Sequence, residues 1–210
     1  MKKEAITLQT KLARRVIRKA FFAPSDMITV AGVDTAYRQN RACAAVVVIS
    51  LEDLKIIEEV VAVKPARFPY IPGLLSIREG PVILEALSRL KAAPDVLMVD
   101  GHGIAHPRRF GLASHLGLFT GTPAIGCAKT RLIGEYEEPQ STRGSIANLT
   151  DEGETIGAVV RTRTGVKPVF VSIGHRINLD LCIRIVLKSC RGYRLPEPLR
   201  RADHLSRKKL

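Results

Sequence analysis

Two acidic residues interrupt apolar runs where a carboxylate is costly unless a cation or donor meets it. Asp34 lies inside Val30-Ala31-Gly32-Val33-Asp34-Thr35-Ala36, and Asp100 closes Val96-Leu97-Met98-Val99. Glu79 follows Arg78, and Asp203 ends the run Pro196-Glu197-Pro198-Leu199-Arg200-Arg201-Ala202-Asp203. Four carboxylates on separate elements could converge on a hard divalent cation such as Mg²⁺, which takes oxygen ligands and keeps waters for its substrate. Phosphodiester hydrolysis needs that set, because the cation activates water, stabilises charge on the phosphoryl oxygens and helps the leaving oxygen depart. Plainer explanations stand beside it: an Asp after a strand often caps a turn, and a Glu opening a helix is favoured by the helix dipole.

The segment after Asp100 is Gly101-His102-Gly103-Ile104-Ala105-His106-Pro107-Arg108-Arg109. It starts at the carboxyl end of a strand, where α/β folds place ligands, and its glycines let backbone approach a ligand closely. Lys129 ends a second apolar strand and either adds a cation there or snorkels to solvent. In Pro69-Tyr70-Ile71-Pro72-Gly73 two prolines fix the backbone around one aromatic ring. That ring either packs inward or is held out to fill the gap left by an extruded base. His102 either supports the acidic residues or touches substrate, and His175-Arg176 is equally credible as structure.

The elements that must position these residues follow from periodicity. Ala5, Leu8, Leu12 and Val16 recur at helical spacing over residues 4–20, with Pro24 and Ser25 as the break. Three β-rich runs, 27–37, 42–50 and 55–63, have short polar connectors and predict an antiparallel meander. A turn-rich stretch precedes a helix over 81–91. The buried strand 96–99, a helix over 112–119, a strand over 124–128, a polar connection over 135–154, strands at 156–161 and 169–173, and a helix over 178–188 complete the order. A basic, proline-marked tail ends it. That order predicts a single ribonuclease H-like α/β domain with a mixed sheet, although fold alone does not assign function.

Hydrophobic residues make up 46% and charged residues 25% of 210 residues, a globular balance with no run long enough to cross a bilayer. The net charge of +13 resides at the two ends, residues 1–20 and 184–210, which suits a phosphate-rich partner or simply solvated helix faces. Cys43, Cys127, Cys182 and Cys190 form no C-x-x-C pair and are expected as buried thiols.

Several runs together resemble the endonuclease V family over nearly the whole chain. They are Gly32-Val33-Asp34; Pro69 to Leu75 with Arg78-Glu79; Val99-Asp100-Gly101-His102-Gly103 through His106-Pro107-Arg108-Arg109; Ile125-Gly126 through Lys129; Gly174-His175-Arg176; and Leu195-Pro196-Glu197-Pro198. The resemblance implies a Mg²⁺ or Mn²⁺ requirement and cleavage at the second phosphodiester 3′ to deaminated adenine, leaving 3′-hydroxyl and 5′-phosphate ends. It implies Asp34 and Asp100 as principal metal ligands, Glu79 and Asp203 as further acids, and His106 and Lys129 near the scissile phosphate. At the position of Asp203 some members carry histidine. Residues Pro69, Tyr70, Ile71, Pro72, Gly73, Leu75, Gly101, Gly103 and Leu132 would then read the lesion.

The expected substrate is inosine-containing DNA, with inosine-containing RNA as the alternative. A noncatalytic nucleic-acid binder would leave the four acids without a role, and a small-phosphate-ester hydrolase would not need Tyr70. The chain is further expected to be a cytoplasmic monomer with no membrane partner, its residues 204–210 forming a basic, flexible tail.

Overall fold

The computed structural model describes residues 2–20, 22–23 and 27–210. Strands β1 (Thr29–Arg38), β2 (Arg41–Ser50) and β3 (Ile56–Pro65) form the predicted antiparallel meander. Gln39 and Asn40 join β1 to β2 with φ of 46° and 61°, the left-handed pair whose twist matches a tight hairpin. β4 (Val96–Val99) then pairs parallel to β1, and β5 (Ala124–Ala128) pairs parallel to β4. Both are buried along their whole length, which is why they read as unbroken apolar runs. β6 (Ile146–Asp151), β7 (Glu154–Val160) and β8 (Val169–His175) extend the sheet antiparallel, giving the order β3-β2-β1-β4-β5-β8-β7-β6.

Helices α2 (Leu75–Leu87) and α3 (Leu112–Thr120) cover one face, where Val82, Ile83 and Leu116 pack on Ala31, Leu97 and Val99. Helices α4 (Leu179–Lys188) and α5 (Glu197–Lys208) cover the other, where Cys182, Ile185, Leu199 and Ala202 join Val30, Met98 and Ile125. This is the expected ribonuclease H-like single domain, and side chains alternate between the two faces along each strand. Asn178 caps α4 by accepting from the Leu181 N–H at 2.9 Å. The four cysteines are buried, as expected, and no described helix is long and apolar enough to cross a membrane.

Five local expectations need correction. The N-terminal helix α1 spans only Lys2–Ala13. Past it, Ile17 is claimed by β8, its N–H donating to His175 Nδ1 and its carbonyl accepting from the Arg176 N–H, so tertiary contacts override the helical spacing. Within α1 the buried residues are Ala5, Gln9 and Leu12, whereas Leu8 is 43% exposed. Helix α2 starts six residues before Pro81 and carries that proline inside it, so Glu79 sits within the helix rather than at its opening. The polar connection contains β6, an edge strand of which only Leu149 is fully buried, so it lacks the alternation of a two-sided strand. The tail folds as α5, whose residues 204–208 are helical. The break at Pro24 and Ser25 lies outside the described residues.

Candidate active site

The strand register brings the first two acids together. Val33 of β1 is paired with Val99 of β4, and the Asp100 N–H donates to the Val33 carbonyl at 3.0 Å. Asp34 and Asp100 therefore leave neighbouring parallel strands at one level. Helix α5 packs across this point and adds Asp203 and Ser206. The Ser206 hydroxyl, fully buried, lies 3.1 Å from Asp34 Oδ2 and 2.9 Å from the Asp203 carbonyl.

Glu79 reaches the group from α2, buried beneath Arg78, whose guanidinium lies 4.3 Å from the centre of the Tyr37 ring. Burial first, then the charge of Asp34, and after it that of Asp100, push the Glu79 carboxyl up to about 8. Burial and the charges of Asp100 and Asp203 likewise raise Asp34 to about 6, against the pull of Lys129 and Ser206. Lys129 forms an ion pair with Asp100. Burial opposes its charge, but the carboxylates of Asp100, Asp34 and Asp203 outweigh that and hold its ammonium above the usual range.

Asp34 and Asp100, side by side, could hold a hard divalent cation. Among the described residues no three His, Cys, Asp or Glu side chains enclose one point, yet Mg²⁺ is commonly held by one or two carboxylates with substrate phosphates completing its shell. The closeness of the carboxylates is registered in the ammonium drawn onto Asp100 and, after burial, in the raised proton affinity of Asp34 and Glu79.

Two concavities meet at Lys129. One is a groove lined by Asp34, Tyr37, Lys129, Asp203 and Arg207. The other is a cavity of about 270 Å³ bounded by Tyr70, Gly73, Leu75, Gly101, Lys129 and Leu132, with Asp100 in its wall. Tyr70 is 69% exposed at its mouth, so the proline-framed ring is held outward. Ile71 and Pro72 line this cavity too. Pro69 and Gly103 do not; a Cβ at 103 would fall 2.0 Å from the Ile173 carbonyl, so close contact with β8 accounts for that glycine.

The two histidines of the segment after Asp100 each hold a cavity loop. His102 Nε2 lies 3.1 Å from the Thr130 carbonyl, beside Leu132. His106 Nδ1 accepts from the Arg108 N–H at 3.2 Å, which leaves the proton on Nε2 to bond the Gly73 carbonyl at 3.0 Å. Burial, followed by the Arg108 charge, lowers the His106 pKa to about 4. Both its nitrogens are engaged, so contact with a phosphate would require it to release Gly73. His175 accepts from Ile17 and anchors the N-terminal segment.

Sequence reasoning missed Ser206 and Gln9. Ser206 lay in the presumed tail, and its spacing of three from Asp203 within a helix was the available signal.

Comparison with known proteins identifies the family. The Endonuclease V of Methanothrix thermoacetophila is 52% identical over 206 residues, covering 98% of this chain and 91% of that one. The crystal structure of Endonuclease V from Streptomyces avermitilis superposes with a TM-score of 0.94 at 45% identity, over 100% of this chain and 92% of that chain. The Endonuclease V of Ciona intestinalis in complex with a 23mer DNA containing an inosine followed by a ribo-adenosine superposes with a TM-score of 0.89 at 31% identity, covering 99% and 95% of the two chains. With an Endonuclease V family model matching residues 10–204 as well, the chain belongs to the endonuclease V family of metal-dependent nucleases.

Proposed function

We propose that this endonuclease repairs DNA by cutting the second phosphodiester 3′ to deoxyinosine, using Mg²⁺ or Mn²⁺ held chiefly by Asp34 and Asp100. The observation that carries the proposal is the shared wall: the cavity and the groove that holds Asp34 and Asp203 both include Lys129, and Asp100 belongs to the cavity while pairing with it. A base extruded into the cavity would hold its own backbone against the acids.

Each residue then has a task. Tyr70 enters the stack left by the extruded base, at the position its exposure supports. The first N–H groups of α2, including that of Leu75, have no partner within the helix and offer donors to the base edge. Gly101 and Leu132 complete the cavity wall. Lys129 meets the scissile phosphate and keeps Asp100 oriented. Glu79 and Asp203 add negative charge behind the principal ligands, and Ser206 fixes the Asp34 carboxyl by donating to it. A divalent cation, when bound, supplies Lewis-acid charge to the phosphoryl oxygens and activates water. The chain is proposed to act as a monomer, since the cavity and groove are built from one copy.

Cleavage of end-labelled strands bearing one inosine, as DNA and as RNA, with Mg²⁺ or with EDTA, tests the proposal. Metal-dependent cutting one nucleotide beyond the inosine of the DNA is expected. Preferential cutting of the RNA would make the chain an endoribonuclease, and binding without cutting would make it a noncatalytic binder.

A further inference from the structure

Gln9 is a polar residue at the centre of the buried face of α1, 1% exposed between Ala5 and Leu12. A buried carboxamide is costly unless its hydrogen bonds are made, and here they tie the lesion-facing loop, at Gly73 and Ser76, to the segment after Asp100, at Arg108 and Phe110. Its Oε1 accepts from Arg108 Nε at 2.7 Å. Its Nε2 lies 3.1 Å from the Gly73 carbonyl, 3.0 Å from Ser76 Oγ and 3.3 Å from the Phe110 carbonyl. An Arg donor on one side and carbonyls on the other fix which end of the amide faces which way.

The Gly73 carbonyl is the common point. It receives Gln9 Nε2, His106 Nε2 at 3.0 Å and Arg108 Nη2 at 2.5 Å. Gly73 itself has φ +78°, and a Cβ there would fall 2.8 Å from Arg108 Nη2. Three donors from two distant segments thus set one peptide, which joins Tyr70 to the opening of α2. Gly73 and Ser76, both cavity residues, are the two ends of the turn that presents Leu75.

We propose that Gln9 is a positioning residue for lesion discrimination: α1 acts through its carboxamide as the outer brace of the loop that carries Tyr70. The inference rests on the function proposed above. It assigns Gln9 no contact with substrate or metal.

The chain contains no tryptophan, so Tyr70→Trp places a single fluorophore on the loop. In that background Gln9→Leu should change the emission maximum and increase acrylamide quenching. In the otherwise unaltered chain, Gln9→Leu should lower the ratio of inosine to adenine cutting about tenfold, the scale of one lost hydrogen bond, with the slow cutting of undamaged strands unchanged. Gln9→Glu keeps the side-chain size and the partner of Arg108 but not the donor to Gly73, so it should reproduce the loss even if Gln9→Leu folds poorly. A folded variant of either kind with the parent's discrimination and quenching overturns the proposal. So does an equal fall in cutting of both strands with quenching unchanged. Failure of the function is separable from failure of the brace: the parent would then show no preference for inosine, while the quenching comparison would still decide whether Gln9 holds the loop.

Discussion

Lys129 and Asp100 form an ion pair in the partition between the cavity beneath Tyr70 and the groove that holds Asp34 and Asp203. The two residues sit at the carboxyl ends of adjacent parallel strands, β5 and β4, so their contact is set by sheet register rather than by loop placement. One cation thereby faces both concavities.

Lys129→Met keeps most of the stem and removes the charge. Single-turnover cutting of inosine DNA at saturating metal is expected to fall by about a hundredfold, the usual scale for losing one preorganised charge donor. Binding of the same strand should change far less, because most of the cavity wall is untouched. Near-normal cutting would remove Lys129 from the chemistry and leave it as a support for Asp100.

Tyr70→Ala probes the opposite side of the cavity. The ring is mostly solvent-exposed, so unfolding stability should barely move. Loss of a base-stacking aromatic costs about 1–3 kcal/mol, so discrimination of inosine from adenine should drop roughly ten- to hundredfold. Competition cutting of paired strands, one inosine and one adenine, measures it; an unchanged ratio would show that the ring does not enter the stack.

The central acids were legible because they broke a pattern: Asp34 and Asp100 interrupt apolar strands, and the strands themselves were visible in their β-branched runs. Tyr70 was legible for a related reason, its two prolines. Glu79 was placed at the wrong point of its helix because Pro81 normally marks a first turn, whereas here the two turns before it are pulled onto the domain by buried Ser76, Glu79 and Gly80. Gln9 and Ser206 were hidden by their polarity. A buried polar residue carries no periodic signal of its own, and its role is fixed by partners 64 and 172 residues away. β6 escaped for the opposite reason, being an edge strand with little to bury, although Glu152 and Gly153, with φ of 51° and 77°, form the left-handed pair of a hairpin turn in an Asp-Glu-Gly sequence.

The raised carboxyls make the metal-free protein pH-sensitive in a direction that a cation should reverse. Glu79 and Asp34 are shifted to about 8 and about 6, above their values in an unfolded chain. The folded state then binds protons more tightly, so this contribution is fully present below pH 4 and is lost as pH rises through 6 and 8. In EDTA, the contribution of these two carboxyls to stability should fall from pH 5 to pH 8.5 by an amount on the order of a few kcal/mol, read as a growing stability advantage of Glu79→Gln over the parent. Mg²⁺ or Mn²⁺ should raise the melting temperature more at pH 8.5 than at pH 5, because at low pH it must displace protons. Equal metal-induced shifts at both pH values would mean that these carboxyls do not meet the cation.

His115 shows the reverse dependence, away from the acids. It lies on α3 against Gly80, with its ring stacked on Phe119 at 4.5 Å and tilted against Phe110 at 5.9 Å. Its Nδ1 has no hydrogen-bond partner among the described residues. Burial lowers its pKa to about 4, so between pH 4 and 6.5 the unfolded chain binds the proton more readily. The contribution of His115 to stability should therefore rise with pH across that window, by up to about 3 kcal/mol. His102 and His106, both lowered to about 4 by burial, act in the same direction. His115→Leu replaces the imidazole with an apolar side chain where no hydrogen bond to Nδ1 is lost. Urea unfolding should find His115→Leu gaining stability relative to the parent at pH 5, with stability at pH 7.5 nearly preserved. An equal stability difference between the two proteins at both pH values would mean that the ring is not held neutral in the folded chain.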